Sequence, residues 1–170
     1  RVLKAFNPNL VFSCYGMNDG IYLPFDKDRF YRYQEGVIKM HDKITETGAT
    51  IIHLTPPVYD AHKGQAYSNV LDIYASWLVS NRYTKDWKVI DIHWPMREFQ
   101  EDKRRTQPEF SLSPDGIHPQ ELGHWLIARE ILKGLGQVEL ADMQTPKEAF
   151  DNFLNGQKVL EWVMEKQTLS

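Results

Sequence analysis

Three short apolar runs punctuate the chain, and longer stretches with apolar residues every third or fourth position separate them. Leu10-Val-Phe-Ser-Cys-Tyr15 stops at Gly16 and reads as a buried strand. From Asp28 to Glu46, the residues Phe30, Tyr33, Val37, Met40 and Ile44 share one helical face, and Gly48 stands where such a helix would stop. Thr50-Ile-Ile-His-Leu54 is a second strand, closed by Pro56-Pro57, since a proline pair continues neither a ladder nor a helix. Tyr67 to Tyr83 carries Val70, Ile73, Tyr74, Trp77 and Leu78 at helical spacing. Trp87 to His93 is the third strand, followed by a less regular segment with the charge run Glu101-Asp-Lys-Arg-Arg105. Pro119 opens a helix through Leu122, Trp125, Leu126, Ile131 and Leu132, with Gly134 as its stop. The tail holds a capping box at Thr145-Pro-Lys-Glu148, a break at Asn155-Gly156, and a last amphipathic stretch around Val159, Leu160, Val163 and Met164.

Strands alternating with helices, the strands nearly continuous in apolar residues, imply an α/β fold with a parallel sheet covered on both faces. Such sheets bind ligands at the carboxyl ends of their strands. The residues there are Gly16-Met-Asn-Asp19, Thr55-Pro-Pro57, His93-Trp94 and, ahead of the last long helix, Ser113-Pro-Asp-Gly-Ile-His-Pro119. A length of 170 residues, 42% hydrophobic and 25% charged, suits one soluble globular domain. With 20 Lys and Arg against 23 Asp and Glu the net charge is −3, and no basic patch invites nucleic acid. No apolar run approaches the ~20 residues of a membrane span. The single cysteine, Cys14, excludes an internal disulfide framework.

Asp115 and His118 stand three apart across Gly116, so both side chains can face the same way. A carboxylate on one imidazole nitrogen fixes the tautomer and leaves the other nitrogen as a base. The alternative is that the pair only caps the following helix. Asn18 follows a strand and a glycine; its amide can donate to a developing oxyanion, or it can merely close an Asx-turn.

Together these residues resemble a family. Gly16-Met-Asn-Asp19 looks like the Gly-x-Asn-Asp block of the SGNH (GDSL-like) esterases and lipases, and Asp115-Gly-Ile-His118 looks like their Asp-x-x-His block. Thr55-Pro-Pro57 is similar to a feature of bacterial members, and the resemblance runs from about Leu10 to Leu135. It implies a three-layer α/β/α, flavodoxin-like fold. It also implies Asn18 as oxyanion donor, His118 as general base, Asp115 as its orienting partner, Gly16 as a tight-turn residue and Asp19 in hydrogen-bonding support. Tyr22, His93 and Trp94 are candidates for lining the cleft. The implied reaction is a serine-dependent ester hydrolysis through an acyl-enzyme, on acetyl or short-acyl esters of carbohydrates, in a secreted or periplasmic bacterial setting. No cofactor is called for, and no group of residues has metal-ligand spacing.

The departure is as informative. No Gly-Asp-Ser block occurs, and only nine residues precede the first strand. Ser13 lies inside a strand, and Ser111 and Ser113 share the loop of the base, where Ser113, two residues from Asp115, is expected to point away from it. The expectation is therefore a partial domain over 1–136, lacking its N-terminal strands, with a helical C-terminal extension over 137–170. The nucleophilic Ser would come from a missing N-terminal segment, the chain alone would be inactive, and its first strand would expose an unpaired edge. The rival reading is a non-catalytic binding module on the same fold, and a third gives the tail a partner-docking role. Among the other histidines, His53 is expected in the core, and His41 and His62 at the surface.

Overall fold

The computed structural model describes residues 5–143 and 145–168. Three strands form one parallel sheet in the order β1 (Leu10–Cys14), β2 (Thr50–Leu54), β3 (Lys88–Ile90). Leu10 to Cys14 lie opposite Thr50 to Leu54, and Ile52 to Leu54 opposite Lys88 to Ile90. Helices α1 (Lys27–Thr45) and α2 (Ala61–Thr84) connect the strands, followed by α3 (His93–Arg104) and α4 (Glu121–Gly134). Short helices α5 (Val138–Ala141) and α6 (Pro146–Asn152) and a longer α7 (Gly156–Thr168) follow.

The alternation of strand side chains creates three layers. On one face, Ile51 packs with Ile44 and Met40 of α1, and Val89 joins Tyr67, Val70, Leu71, Tyr74 and Leu78 of α2. On the other, Ile52, Leu54 and Ile90 meet Ile127 and Ile131 of α4. Gly134 allows the closest approach there: a Cβ on it would fall 2.5 Å from Ile90 Cδ1. A further core of Val58, Met96, Leu112 and Leu126 binds α3 and the 110–113 segment to α4. β1 and β3 are the two edges among the described residues, and on β1 Leu10 and Phe12 are exposed and Ser13 buried.

The fold departs from the periodicity in three places. The third strand is only Lys88–Ile90, and His93 begins a helix instead of ending a strand. The cause is local. Asp91 Oδ1 accepts the backbone N–H groups of His93 and Trp94, at 3.1 and 3.4 Å, and Thr55 Oγ1 accepts those of Ile92 and His93, at 2.8 and 2.9 Å. These bonds satisfy the orphan donors of a first helical turn and bend the chain into it. The segment taken as irregular, Glu101–Arg105, is largely the last turn of α3. Finally, α4 does end at Gly134, but the glycine that takes the left-handed turn is Gly136 (φ 80°), two residues on: Gly136 N–H donates to Lys133 O and Gln137 N–H to Leu132 O, the paired bonds of a left-handed C-terminal cap. In the tail, Thr145 Oγ1 does accept Glu148 N–H, at 3.1 Å. No helix of the described residues is long and apolar enough to cross a membrane.

Candidate active site

Asp115 and His118 are joined directly. His118 Nδ1 lies 2.6 Å from Asp115 Oδ2, while Asp115 Oδ1 accepts the backbone N–H groups of Ile117 and His118 at 2.9 and 2.8 Å. The carboxylate thus closes its own turn with one oxygen and orients the ring with the other. It does not cap α4, whose N-cap residue is Gln120. The His118 ring first, then the two backbone donors, hold the Asp115 carboxyl far below the usual carboxylate range. With Nδ1 engaged, Nε2 is the nitrogen left to act as a base, and the ring is 81% exposed.

The loop is built from below by Asp60, the N-cap of α2. Asp60 is buried and accepts from Arg104 Nη2 at 2.7 Å, from the Ser111 hydroxyl and from His62 N–H at 2.9 Å. Its own N–H donates to Gly116 O at 3.0 Å. Burial raises its carboxyl, but the bonds from Ser111, Arg104 and His62 outweigh that and hold it below its ordinary value. Gly116 has φ 95°, and a side chain there would meet Lys63 and Tyr59 at 3.1–3.2 Å.

Asn18 sits in the loop after β1. Tyr22 O–H donates to Asn18 Oδ1, which assigns the amide nitrogen as the atom available to donate elsewhere. Asp19 Oδ2 accepts Gly16 N–H at 3.0 Å, and Asp19 N–H donates to Gly16 O at 3.3 Å. Gly16 has φ 125°, and a Cβ on it would lie 3.0 Å from Pro56 Cβ, so the Thr55-Pro-Pro turn abuts the Asn18 loop. Ile21 and Tyr22 both take left-handed conformations (φ 50° and 58°), a strain of ~1–2 kcal/mol each for such residues.

Aromatic rings connect the two halves. Tyr22 stands 5.0 Å from Tyr67 and 6.1 Å from Tyr59, and Tyr59 packs under Gly116 of the histidine loop. Tyr67 O–H donates to Met17 O at 2.5 Å. The structure therefore gathers Asn18, Tyr22, Asp115 and His118 at the carboxyl end of the sheet. Tyr59, Asp60 and Tyr67 hold them there without any motif of their own. Two candidates for cleft lining fall elsewhere. His93 is buried between Pro56 O and Asp72, and Trp94 borders a charged groove of about 810 Å³ between α3 and α4, with Arg97 and Arg129.

The three serines nearest the strand ends and the histidine loop are committed to other partners or enclosed. Ser13 bonds His53, Ser111 bonds Asp60, and Ser113 is buried with its hydroxyl unpartnered. His41 is not a plain surface residue: it stacks on Trp87 at 4.2 Å and places Nδ1 3.0 Å from His53 Nε2. Among the described residues, no group of three or more His, Cys, Asp or Glu could hold a metal ion.

Solved structures share this fold. A gut microbial diltiazem-metabolizing enzyme, BT4096, superposes with a TM-score of 0.64 at 21% identity, over 79% of this chain and 34% of its own. A catalytic mutant of Axe2, an acetylxylan esterase from Geobacillus stearothermophilus, gives 0.61 at 21% identity, over 79% and 62%. LAE5, an alpha/beta hydrolase from the metagenome of Lake Arreo, Spain, gives 0.61 at 21%, also over 79% and 62%. At this identity the likeness establishes the fold, and the chain spans between a third and about three-fifths of these proteins. No curated protein matches the sequence. The profile of the GDSL-like lipase/acylhydrolase family matches residues 1–131, and the chain belongs to that family.

Proposed function

We propose that this chain carries the base and oxyanion-donor portion of a serine-dependent ester hydrolase. The observation that carries the reading is the 2.6 Å contact of Asp115 with His118 on an open surface, at the same sheet end as Asn18. The nucleophilic Ser belongs to a segment outside this sequence. Its Oγ attacks the ester carbonyl as His118 Nε2 takes the hydroxyl proton, and the Asn18 amide donates to the oxyanion. His118 then returns the proton to the leaving alcohol. Water, deprotonated by the same ring, releases the acid. Asp115 keeps the ring in register, Asp19 closes the turn of the Asn18 loop, and Gly16 gives that loop its conformation.

The substrate class we favour is the acetyl or short-acyl ester of a carbohydrate. The acetylxylan esterase among the similar structures supports this, as does the exposed Tyr22 ring beside Asn18. Residues 1–136 would then form part of the catalytic domain and 137–170 a helical extension. A second reading, a binding module without a nucleophile, draws on one observation: Ser13, Ser111 and Ser113 are all engaged or enclosed. The two separate in one assay. The 170-residue chain and an N-terminally extended form are incubated with 4-nitrophenyl acetate. Turnover is expected from the extended form alone and is expected to vanish in His118→Ala. An extended form with an intact upstream segment and no turnover favours the binding module, and Ser-dependent turnover by the short chain rejects the external nucleophile.

A further inference from the structure

His93 has an acceptor at each ring nitrogen. Nδ1 lies 3.1 Å from Pro56 O and Nε2 2.9 Å from Asp72 Oδ1, in a side chain only 1% exposed. A neutral imidazole carries one N–H, so one of these contacts would set a nitrogen lone pair against an oxygen lone pair. An imidazolium donates to both. The groups around the ring come from three elements. Asp72 of α2 supplies the carboxylate, and Arg97 of α3 places Nη1 2.5 Å from the same oxygen. Glu101 draws on that guanidinium at Nε, at 2.9 Å. Asp91, after β3, accepts the His93 backbone N–H at 3.1 Å, and the Trp94 ring stands edge-on at 5.1 Å. Two carboxylates, Asp72 and Glu101, therefore share one guanidinium, which leaves room for a second cation at Asp72.

The ring grips an informative carbonyl. Pro56 is the residue against Gly16, where a Cβ would come within 3.0 Å of the proline ring. Gly16 opens the loop that Asp19 closes and that carries Asn18. Thr55, next to Pro56, is fully buried and tied to Asp91 at 2.9 Å and to the backbone of Ile92 and His93. The path from the His93 ring through Pro56 and Gly16 to Asn18 has no loose link.

We propose that His93 is a positioning residue for the Asn18 loop: an imidazolium braced between Asp72 and the Pro56 carbonyl, which seats Pro56 against Gly16 and so aims the Asn18 amide. The role of that amide is taken from the esterase reading, while the brace itself does not depend on it. Losing that contact frees Pro56 and lets the loop shift.

Ring-nitrogen NMR on the isotopically labelled chain tests this, recorded in a His118→Ala background to remove the exposed imidazole from the signal. A hydrogen is expected on each His93 ring nitrogen, one bonded to Pro56 O and one to Asp72. In His93→Phe the Gly16 and Asn18 backbone amides are expected to shift, and in His93→Gln, whose amide can still donate to the Pro56 carbonyl, to return most of the way. Should the Phe variant fail to fold, the ring-nitrogen signals with His93 intact still decide. A bare Nδ1 overturns the proposal, as do Gly16 and Asn18 amides that ignore the substitution. None of these signals needs turnover, so the ester assay and this measurement can fail independently.

Discussion

Acid should weaken this fold through one ring on β2. His53 is 1% exposed, with Nδ1 2.7 Å from Ser13 Oγ and Nε2 3.0 Å from His41 Nδ1. A neutral ring serves both: it accepts from the serine hydroxyl and donates to His41. Burial first, and the neighbouring His41 ring second, push His53 down to about 4 from an ordinary 6.5. The unfolded chain takes up its proton near the ordinary value, and the folded chain resists until near 4. Stability is therefore intact above that ordinary value and falls as pH drops through the window. At ~1.4 kcal/mol for each pH unit, the loss is about 3 kcal/mol across the window and about 2 kcal/mol by pH 5. Burial also lowers His41, which acts in the same direction. With a urea slope of about 2 kcal/mol per molar, the unfolding midpoint near pH 5 should lie about 1 M below that near pH 7. Urea titrations followed by tryptophan fluorescence, on the wild-type chain and His53→Gln, provide the measurement. The glutamine keeps a donor and an acceptor but does not titrate, so most of the acid loss should vanish. If both proteins lose the same midpoint between the two pH values, the reasoning about His53 is wrong.

Three further outcomes follow from the same geometry. Asp60→Asn should cost about 3 kcal/mol in urea melts, because Arg104 then keeps its charge without a buried counter-ion; a loss within 0.5 kcal/mol of zero, about the noise of surface substitutions, contradicts it. Gly16→Ala should destabilise by about 2 kcal/mol, since a Cβ at φ 125° must also displace Pro56, and an unchanged thermal midpoint would argue against that contact. Thr55→Val removes the acceptor of the Ile92 and His93 N–H groups, a loss of about 3 kcal/mol by calorimetry, whereas Thr55→Ser should restore most of it; equal losses in both variants would point to packing instead.

The strands and the four longer connecting helices divide unequally in how far the sequence announced them. β1, β2 and α1 were legible because their apolar spacing and the glycines and prolines after them agree. α3 was not, because its start depends on Thr55, a residue far away in sequence whose hydroxyl captures the first N–H groups of the helix. The Asp115–His118 pair could be read from spacing, since both members lie on one turn. The residues that hold that turn could not. Asp60 reaches it through Ser111 and Arg104, and Tyr59 through a ring face, contacts that exist only after α2, α3 and the loop have packed. His41 misled for a similar reason: its partners, Trp87 and His53, come from two different strand regions.

β1 has a consequence beyond catalysis. Its outer edge is unpaired among the described residues, and the hexapeptide Leu10-Val-Phe-Ser-Cys-Tyr15 has no charge, no proline and no glycine. That is the composition of a self-templating amyloid segment, in which identical strands stack at the ~4.7 Å cross-β repeat. Two native molecules meeting along this strand would pair edge to edge and stop there, because the other side of β1 is bonded to β2; stacking further copies requires β1 to leave the sheet, so fibril formation would follow opening of this edge. A neighbouring strand laid on that edge would do more than widen a sheet. It would act as a built-in gatekeeper, withholding the hexapeptide from every other copy of itself.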